Sequence, residues 1–188
     1  LQTVFPKYEL EENKWDFTKL FPNKEIIYEI GCGAGDTTIA LAKNNPNKII
    51  IAIEVHRPSI TQLVEKAEKE KLTNIRIGFT DAVQILKERI EDESLTEIHA
   101  YFPDPWPKKR HHKRRLFRPE LINLMLQKLK KGGQIFIATD WQSYAEEILE
   151  NLPNSQVIKR PSWRPITKYE RKGLNAKRTI TDITSQKS

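Results

Sequence analysis

The stretch IIYEIGCGAGD, residues 26–36, decides the fold. Ile26 to Ile30 form a short apolar run broken by a single acid, Glu29, and the run stops at Gly31, Gly33 and Gly35. A short apolar run bounded by glycine is the pattern of a buried strand. Glycine lets the backbone turn tightly and come close to a ligand. Residues 36–44 then carry helical spacing, with Ile39, Leu41 and Ala42 facing inward and Asp36 and Thr37 as cap candidates. Strand, glycine turn and helix together make the first unit of a βαβ fold.

The unit repeats along the chain. KIIIAIE (48–54) is the strongest strand, followed by a helix over 58–71 with Ile60, Leu63, Val64 and Ala67 at helical spacing. NIRIGF (74–79) is a third strand, 82–90 a third helix, and EIHAYF (97–102) a fourth strand. Residues 119–130 form a helix, with Pro119 at its first position and Gly132 as its C-terminal cap. GQIFIATD (133–140) is a fifth strand, and 142–151 a helix. The end, 155–183, reads as two strands separated by a loop rich in proline and basic residues, while 1–25 is an irregular or partly helical lead-in. Such alternation implies right-handed crossovers and an α/β fold: a mostly parallel, doubly wound Rossmann-like sheet, closed by a C-terminal antiparallel strand pair. One domain is expected over 1–188, with a lead-in (1–25), a cofactor-binding core (26–151), and C-terminal strands with a substrate loop (152–188).

Composition agrees. The chain has 188 residues, 38% of them apolar and 30% charged, enough for one sizeable core and too few for two enzyme domains. No apolar run approaches the ~18 residues of a membrane helix. The opening LQTVFPKYEL has neither the basic-then-apolar pattern of a signal peptide nor that of an Arg-rich transit peptide. The single cysteine, Cys32, excludes an internal disulfide framework and a Cys-rich zinc site, and no metal-ligand spacing is present. A cytoplasmic location is expected, and Cys32 reads as a small residue in a tight turn.

Charge is unevenly placed within a formal net of +7. Segment 104–131 holds ten basic and two acidic residues, and segment 159–178 eight basic and one acidic, while the rest of the chain is net acidic. Trp106, Phe117, Trp163 and Tyr169 are interleaved with these cations. Basic segments with aromatics on an acidic body suit phosphates and stacked bases.

In an open α/β sheet, ligands bind beyond the carboxyl ends of the strands. The residues there are Glu29 to Gly35 after the first strand, Glu54 after the second, Asp81 and Ala82 after the third, and Asp104 after the fourth. Glu54 lies where a carboxylate takes the hydroxyls of a ribose. The glycine spacing is G-x-G-x-G, not the G-x-G-x-x-G of a dinucleotide site, and Asp36 follows at once. Glu29 and Asp36 would repel a pyrophosphate. They favour a cofactor with an amino group and a sulfonium, S-adenosylmethionine. Asp81 then suits the adenine amino group or a neighbouring amide; the alternative for each carboxylate is a helix cap.

Segment 102–118, FPDPWPKKRHHKRRLFR, follows the fourth strand. Prolines 103, 105 and 107 stiffen a loop that carries Asp104 and Trp106. A carboxylate, an aromatic and a run of cations make the composition of an RNA-recognition pocket. His111 and His112, set among cations, suit phosphate contact or solvent better than acid–base work.

With EIGCGAG at 29–35, Glu54, Asp81-Ala82, FPDPWPKKRHHKRR at 102–115, Thr139-Asp140 and Thr167-Lys168-Tyr169-Glu170, the chain resembles the bacterial tRNA (guanine-N7)-methyltransferases of the TrmB family over nearly its whole length. The resemblance implies a class I S-adenosylmethionine-dependent methyltransferase fold and methylation of a guanine in the tRNA variable loop. It implies a cofactor site lined by Glu29, the Gly31, Gly33 and Gly35 turn, Glu54, Asp81, Ala82 and Asp104, with Asp104 also the catalytic carboxylate. It places substrate binding at Lys108, Asp140, Thr167, Lys168, Tyr169 and Glu170. Lys109, Arg110, Lys113, Arg114 and Arg115 are candidate phosphate contacts. Either Asp104 or Asp140 suits the guanine edge. tRNA is the expected partner; neither a membrane nor an obligatory protein partner is evident. Rival readings are a methyltransferase of this fold acting on another RNA base or on protein, and an inactive RNA-binding module.

Overall fold

The computed structural model describes residues 5–10 and 15–188. Of the lead-in, residues 1–4 and 11–14 lie outside the described residues. Its remainder includes a 3-10 turn at Phe5–Lys7, the buried Tyr8, and a short helix α1 (Phe17–Leu20) capped by Asp16, which accepts from the Thr18 and Lys19 N–H groups. The alternating body follows: β1 (Glu25–Ile30), α2 (Asp36–Asn44), β2 (Lys48–Glu54), α3 (Arg57–Lys69), β3 (Ile75–Phe79), α4 (Ala82–Glu88), β4 (Leu95–Tyr101), α5 (Pro119–Lys128), β5 (Leu129–Thr139) and α6 (Gln142–Asn151). The chain then adds β6 (Gln156–Ile158), α7 (Lys168–Asn175) and β7 (Thr181–Gln186).

These strands form one seven-stranded sheet in the order β3-β2-β1-β4-β5-β7-β6. β1 to β5 are parallel, and β7 runs antiparallel to both β5 and β6. The strand order reverses at β1 and β4, which makes the crevice between them the topological switch point. The isoleucines of β2 explain why the sheet is covered twice. Ile49 to Ile53 are all buried, and alternate residues feed two different cores. Tyr28, Ile51, Ile98 and Ile135 pack with side chains of α4, α5 and α6, while Ile27, Ile50 and Ala52 pack with Leu41, Leu63 and Val64 of α2 and α3. Among the described residues no helix is long and apolar enough to cross a membrane.

Three local expectations are corrected. Neither Asp36 nor Thr37 caps α2: Gly35 holds the cap position in the left-handed region, and Asp36 pairs with Lys66 instead. Gly132 does not cap α5, which ends at Lys128 with Leu129 as its cap. Instead Gly132, at φ 75°, sits in a bulge where the β4–β5 register slips between Leu95↔Leu129 and Glu97↔Gln134. The two C-terminal strands are present, but the segment between them is not all loop. Residues 168–175 form α7, a helix whose sequence KYERKGLN has almost no apolar face.

Candidate active site

The glycine turn is fixed from two sides. The N–H groups of Gly31 and Cys32 donate to the Ile53 carbonyl at 2.9 and 3.1 Å, stapling the turn to the end of β2. Lys66 of α3 donates to the Ala34 carbonyl at 2.8 Å and to Asp36 Oδ1 at 2.5 Å. Gly35 admits no other residue: its φ is 80°, and a Cβ there would lie 2.4 Å from Leu63 Cδ1. Cys32 is buried, and burial pushes its thiol well above the usual range, so it fills space in the turn and is no nucleophile.

The acids around this turn sit in different environments. Glu29 is 2% exposed, and the Thr38 hydroxyl donates to its Oε2 at 2.5 Å. Burial, with the Glu54 charge adding to it against that hydrogen bond, pushes the Glu29 carboxyl up to about 8. Glu54 Oε2 accepts from the Gly33 N–H at 2.8 Å, and Oε1 accepts from the Val55 and His56 N–H groups at 2.8 and 3.0 Å. A carboxylate has about four acceptor directions, so little more than one remains for a ribose hydroxyl. Asp81 is the N-cap of α4: its Oδ1 accepts from Val83 and Gln84 at 2.8 and 2.9 Å. The Ala82 carbonyl is taken by the Tyr28 hydroxyl at 2.8 Å.

A cleft of about 190 Å³ opens beside Glu29. Its walls include Gly31 to Ala34, Asp36 and Thr37 on one side, His56, Ser59 and Gln62 along α3, Tyr101 at the end of β4, and Thr167, Lys168 and Tyr169. The expected cofactor turn and the expected substrate segment therefore meet. A Cβ on Gly33 would touch Tyr169 Cε2 at 3.7 Å. Glu54, Asp81, Ala82 and Asp104 stand at neighbouring strand ends and do not line this cleft. A buried carboxyl beside closely approachable backbone fits a cofactor with a cationic amino-acid end. His56, Ser59, Gln62 and Tyr101 are wall residues that the motifs do not point to; only their positions just after β2, along α3 and at the end of β4 could have suggested them.

The loop after β4 is strained and held from below. Phe102 and Trp106 adopt positive φ, 56° and 42°, which bulky residues rarely do. The Phe102 N–H donates to the Ala138 carbonyl at 2.7 Å. Arg115 is 1% exposed: its Nε donates to the Pro105 carbonyl at 2.8 Å, its guanidinium lies over Tyr144, and it pairs with Glu147. It anchors the loop and is not on the surface, contrary to its expected role as a phosphate contact. Lys108, Lys109, Arg110, Lys113 and Arg114 are exposed, the last four on a 3-10 turn at Lys109–Arg114, with Arg114 over the Trp106 ring at 4.8 Å. His111 and His112 are half-buried; His111 meets Trp106 edge-on and His112 lies 3.9 Å from Glu147.

Asp104 is exposed and makes no hydrogen bond or ion pair with any described residue. Asp140, on the neighbouring strand end, does not cap α6; its Oδ2 accepts from Arg178 at 2.8 Å. Thr167 caps α7, accepting from the Glu170 N–H at 3.2 Å, and Lys168 and Tyr169 are exposed. Glu170 departs from its expected place at the substrate: it is 2% exposed and bound to Arg164 at 2.6 Å and Arg160 at 3.1 Å, with Arg164 also holding Asp182 at 2.9 Å. This buried charge cluster fastens α7 to β7.

Comparison with known proteins shows the family. Residues 23–183 match a family model described as putative methyltransferase. The chain is 44% identical to a tRNA (guanine-N(7)-)-methyltransferase of Nitrosomonas europaea, over 97% of this chain and 86% of that protein. It is 41% identical to a protein of the same description from Francisella tularensis subsp. novicida, over 100% of this chain and 87% of the relative. Among solved structures, a 16S rRNA methyltransferase, KamB, superposes with a TM-score of 0.67 at 17% identity, covering 94% of this chain and 95% of that one.

Proposed function

The chain belongs to the tRNA (guanine-N7)-methyltransferase family, and from that premise we propose how its residues divide the work of moving a methyl group from S-adenosylmethionine to guanine N7 of tRNA. The enzyme is an S-adenosylmethionine-dependent methyltransferase of class I fold. The observation that supports the site best is the meeting, beside the β1–β4 switch point, of Glu29 and the glycine turn with Thr167, Lys168 and Tyr169. The amino-acid end of the cofactor occupies this cleft, toward Glu29, and its ribose and adenine lie over the neighbouring strand ends, toward Glu54 and toward Asp81 and Ala82.

When bound, S-adenosylmethionine supplies a methyl group on a positively charged sulfur. Guanine N7 carries a lone pair and no proton, so no side chain need act as a base. Positioning and electrostatics supply the acceleration. As the methyl arrives, the guanine becomes cationic and its N1–H and amino group become stronger donors. A carboxylate on that edge binds the transition state more tightly than the ground state. We assign this role to Asp104, because it stands exposed and unpaired while Asp140 is already engaged by Arg178. Asp140 with Arg178, Lys108, and the Thr167–Tyr169 stretch orient the tRNA segment, and Lys109, Arg110, Lys113 and Arg114 meet its phosphates. The guanine lies in the tRNA variable loop, the chain acts as one methyltransferase domain, and it works in the cytoplasm.

The test is incubation of the protein with methyl-labelled S-adenosylmethionine and unmodified tRNA, then digestion to nucleosides. The label should appear as 7-methylguanosine within the variable loop. Label in another nucleoside, or none under conditions where the cofactor binds, would overturn the assignment.

A further inference from the structure

A file of polar side chains runs along one face of β4 into the cofactor cleft. Glu97, His99 and Tyr101 alternate along the strand and so share that face. Lys48, itself paired with Glu25 at 2.8 Å, binds Glu97 Oε1 at 2.7 Å. Glu97 Oε2 lies 2.8 Å from His99 Nε2, and His99 Nδ1 lies 2.7 Å from the Tyr101 hydroxyl. His99 is 1% exposed, stacked on Phe136 at 4.8 Å and met edge-on by Trp163 at 6.1 Å. The Arg164 guanidinium covers the Tyr101 ring at 5.2 Å. None of these side chains is needed to close the fold's backbone ladders.

The partners fix where the protons are. Glu97 is an ion-paired carboxylate and only accepts. Burial pushes its carboxyl up, but the hydrogen bond from His99 and the Lys48 ammonium outweigh that and hold it below the ordinary carboxylate range. Burial likewise lowers His99, against the pull of Glu97, and favours the neutral ring. A neutral imidazole that donates from Nε2 must accept at Nδ1. The Tyr101 O–H therefore donates to His99, and the phenol oxygen is left with lone pairs only. Tyr101 is a wall of the cleft, together with Glu29, and Glu29 pairs in register with His99 across β1 and β4. An oxygen locked as an acceptor beside a buried acid calls for a donor of N–H bonds. The cofactor's sulfonium has none; its α-ammonium has three.

We propose that the Tyr101 hydroxyl, oriented by His99 and Glu97, accepts a hydrogen bond from the methionyl ammonium of S-adenosylmethionine. Tyr101 is then a binding residue of this chain, and His99 and Glu97 are its positioning residues. The inference rests on the cofactor reading above.

Calorimetric titration of three nucleosides tests it without turnover. S-adenosylmethionine and S-adenosylhomocysteine both carry the ammonium; 5′-methylthioadenosine lacks the whole amino-acid end. Tyr101→Phe should weaken the first two alike, on the order of tenfold, the scale of one hydrogen bond to a charged group. Binding of 5′-methylthioadenosine should stay within about twofold, which also shows that the cleft is intact. Glu97→Gln should weaken the two ammonium ligands in the wild-type background and have no further effect on them in Tyr101→Phe. An equal loss for all three ligands would overturn the proposal, as would a loss confined to S-adenosylmethionine, which would point to the sulfonium. Unchanged affinities in Tyr101→Phe would overturn it too. Additive effects of the two substitutions would remove His99 and Glu97 from the role. If the wild type bound none of the three nucleosides, the cofactor reading itself would fail, a result distinct from these.

Discussion

Replacing Glu29 with glutamine should uncouple cofactor binding from pH. The Glu29 carboxyl is pushed up to about 8, because burial and the neighbouring Glu54 charge outweigh the Thr38 hydrogen bond. At pH 7 it is then roughly nine-tenths protonated. If the ionised form receives the cofactor's ammonium, binding at pH 7 must expel about 0.9 proton. The sign follows: a raised carboxyl is neutral below its pKa, so lowering the pH withdraws the form that binds. Affinity should rise roughly tenfold from pH 6 to pH 7 and level off near pH 8, where the cofactor's own α-amino group begins to lose its proton. Calorimetry at pH 7 in phosphate and in Tris reads the expelled proton as a difference in apparent enthalpy. Glu29→Gln should show no such difference, bind more weakly than the wild type, and fall further behind as pH rises. Because His56 lines the same cleft, the comparison of the two proteins, and not the wild-type profile alone, isolates Glu29. A proton count below about 0.2 in the wild type, or the same pH profile in both proteins, would refute the reasoning.

Three further outcomes are expected. Glu54→Ala should weaken S-adenosylmethionine binding by about 1–3 kcal/mol while leaving tRNA affinity nearly unchanged, because it removes the carboxylate proposed to meet the ribose together with the partner of the Gly33 N–H; equilibrium binding of each ligand checks it. The two adjacent arginines should separate: Arg114→Gln should reduce the slope of log affinity for tRNA against log salt by about 0.7–0.9. Arg115→Met should leave that slope alone and cost roughly 2–3 kcal/mol of stability in a denaturant titration, less than a fully buried pair because Glu147 is 27% exposed. Asp104→Asn should lose about 2–4 kcal/mol of transition-state stabilisation, mainly in turnover, with tRNA affinity little changed. Single-turnover rates across pH should show no limb near neutrality that depends on Asp104; such a limb would make it a general base.

The parts of the fold legible in the sequence are those built from apolar pattern. IIYEI and KIIIAIE are strands because their isoleucines enter two cores at once, and the helices over 58–71 and 142–151 show a single apolar stripe. The helix α7 was hidden because it is held by charge. Its buried residues are Glu170 and Gly173, and the partners of Glu170 lie in a loop that no local pattern reveals. Gly173 packs where a Cβ would meet Asp140 Oδ2 at 2.8 Å, a closeness that depends on tertiary structure alone. The site was legible as a set of strand-end acids and a basic loop, through the spacing of glycine, Glu54 and FPDPWP. What composition could not distinguish was which members of a charged run face inward. Arg115 reads like Arg114 until Glu147, thirty-two residues on, is brought beneath it. His99 and Tyr101 look like plain strand residues in the sequence, since the acceptor that gives them meaning, Glu97, is a neighbour only by strand alternation.

The placement of β7 between β5 and β6 has a consequence for how the chain leaves the ribosome. β5 is complete at Thr139, but its second neighbour does not exist until Gln186 has been made. At ordinary synthesis rates of about 5–20 residues per second, that edge stands open for roughly 2–9 s. Through that interval β6 has no strand partner, because among the described residues its only ladder is to β7. Nor can Arg164 close on Asp182, so α7 has not yet been drawn toward the cleft. A nascent chain can thus fold its first four strands early and still lack a seat for Tyr169. The wall of the cleft is completed and the β5 edge is covered in the same late step, which leaves a stalled or shortened product without that wall and prone to pair through β5.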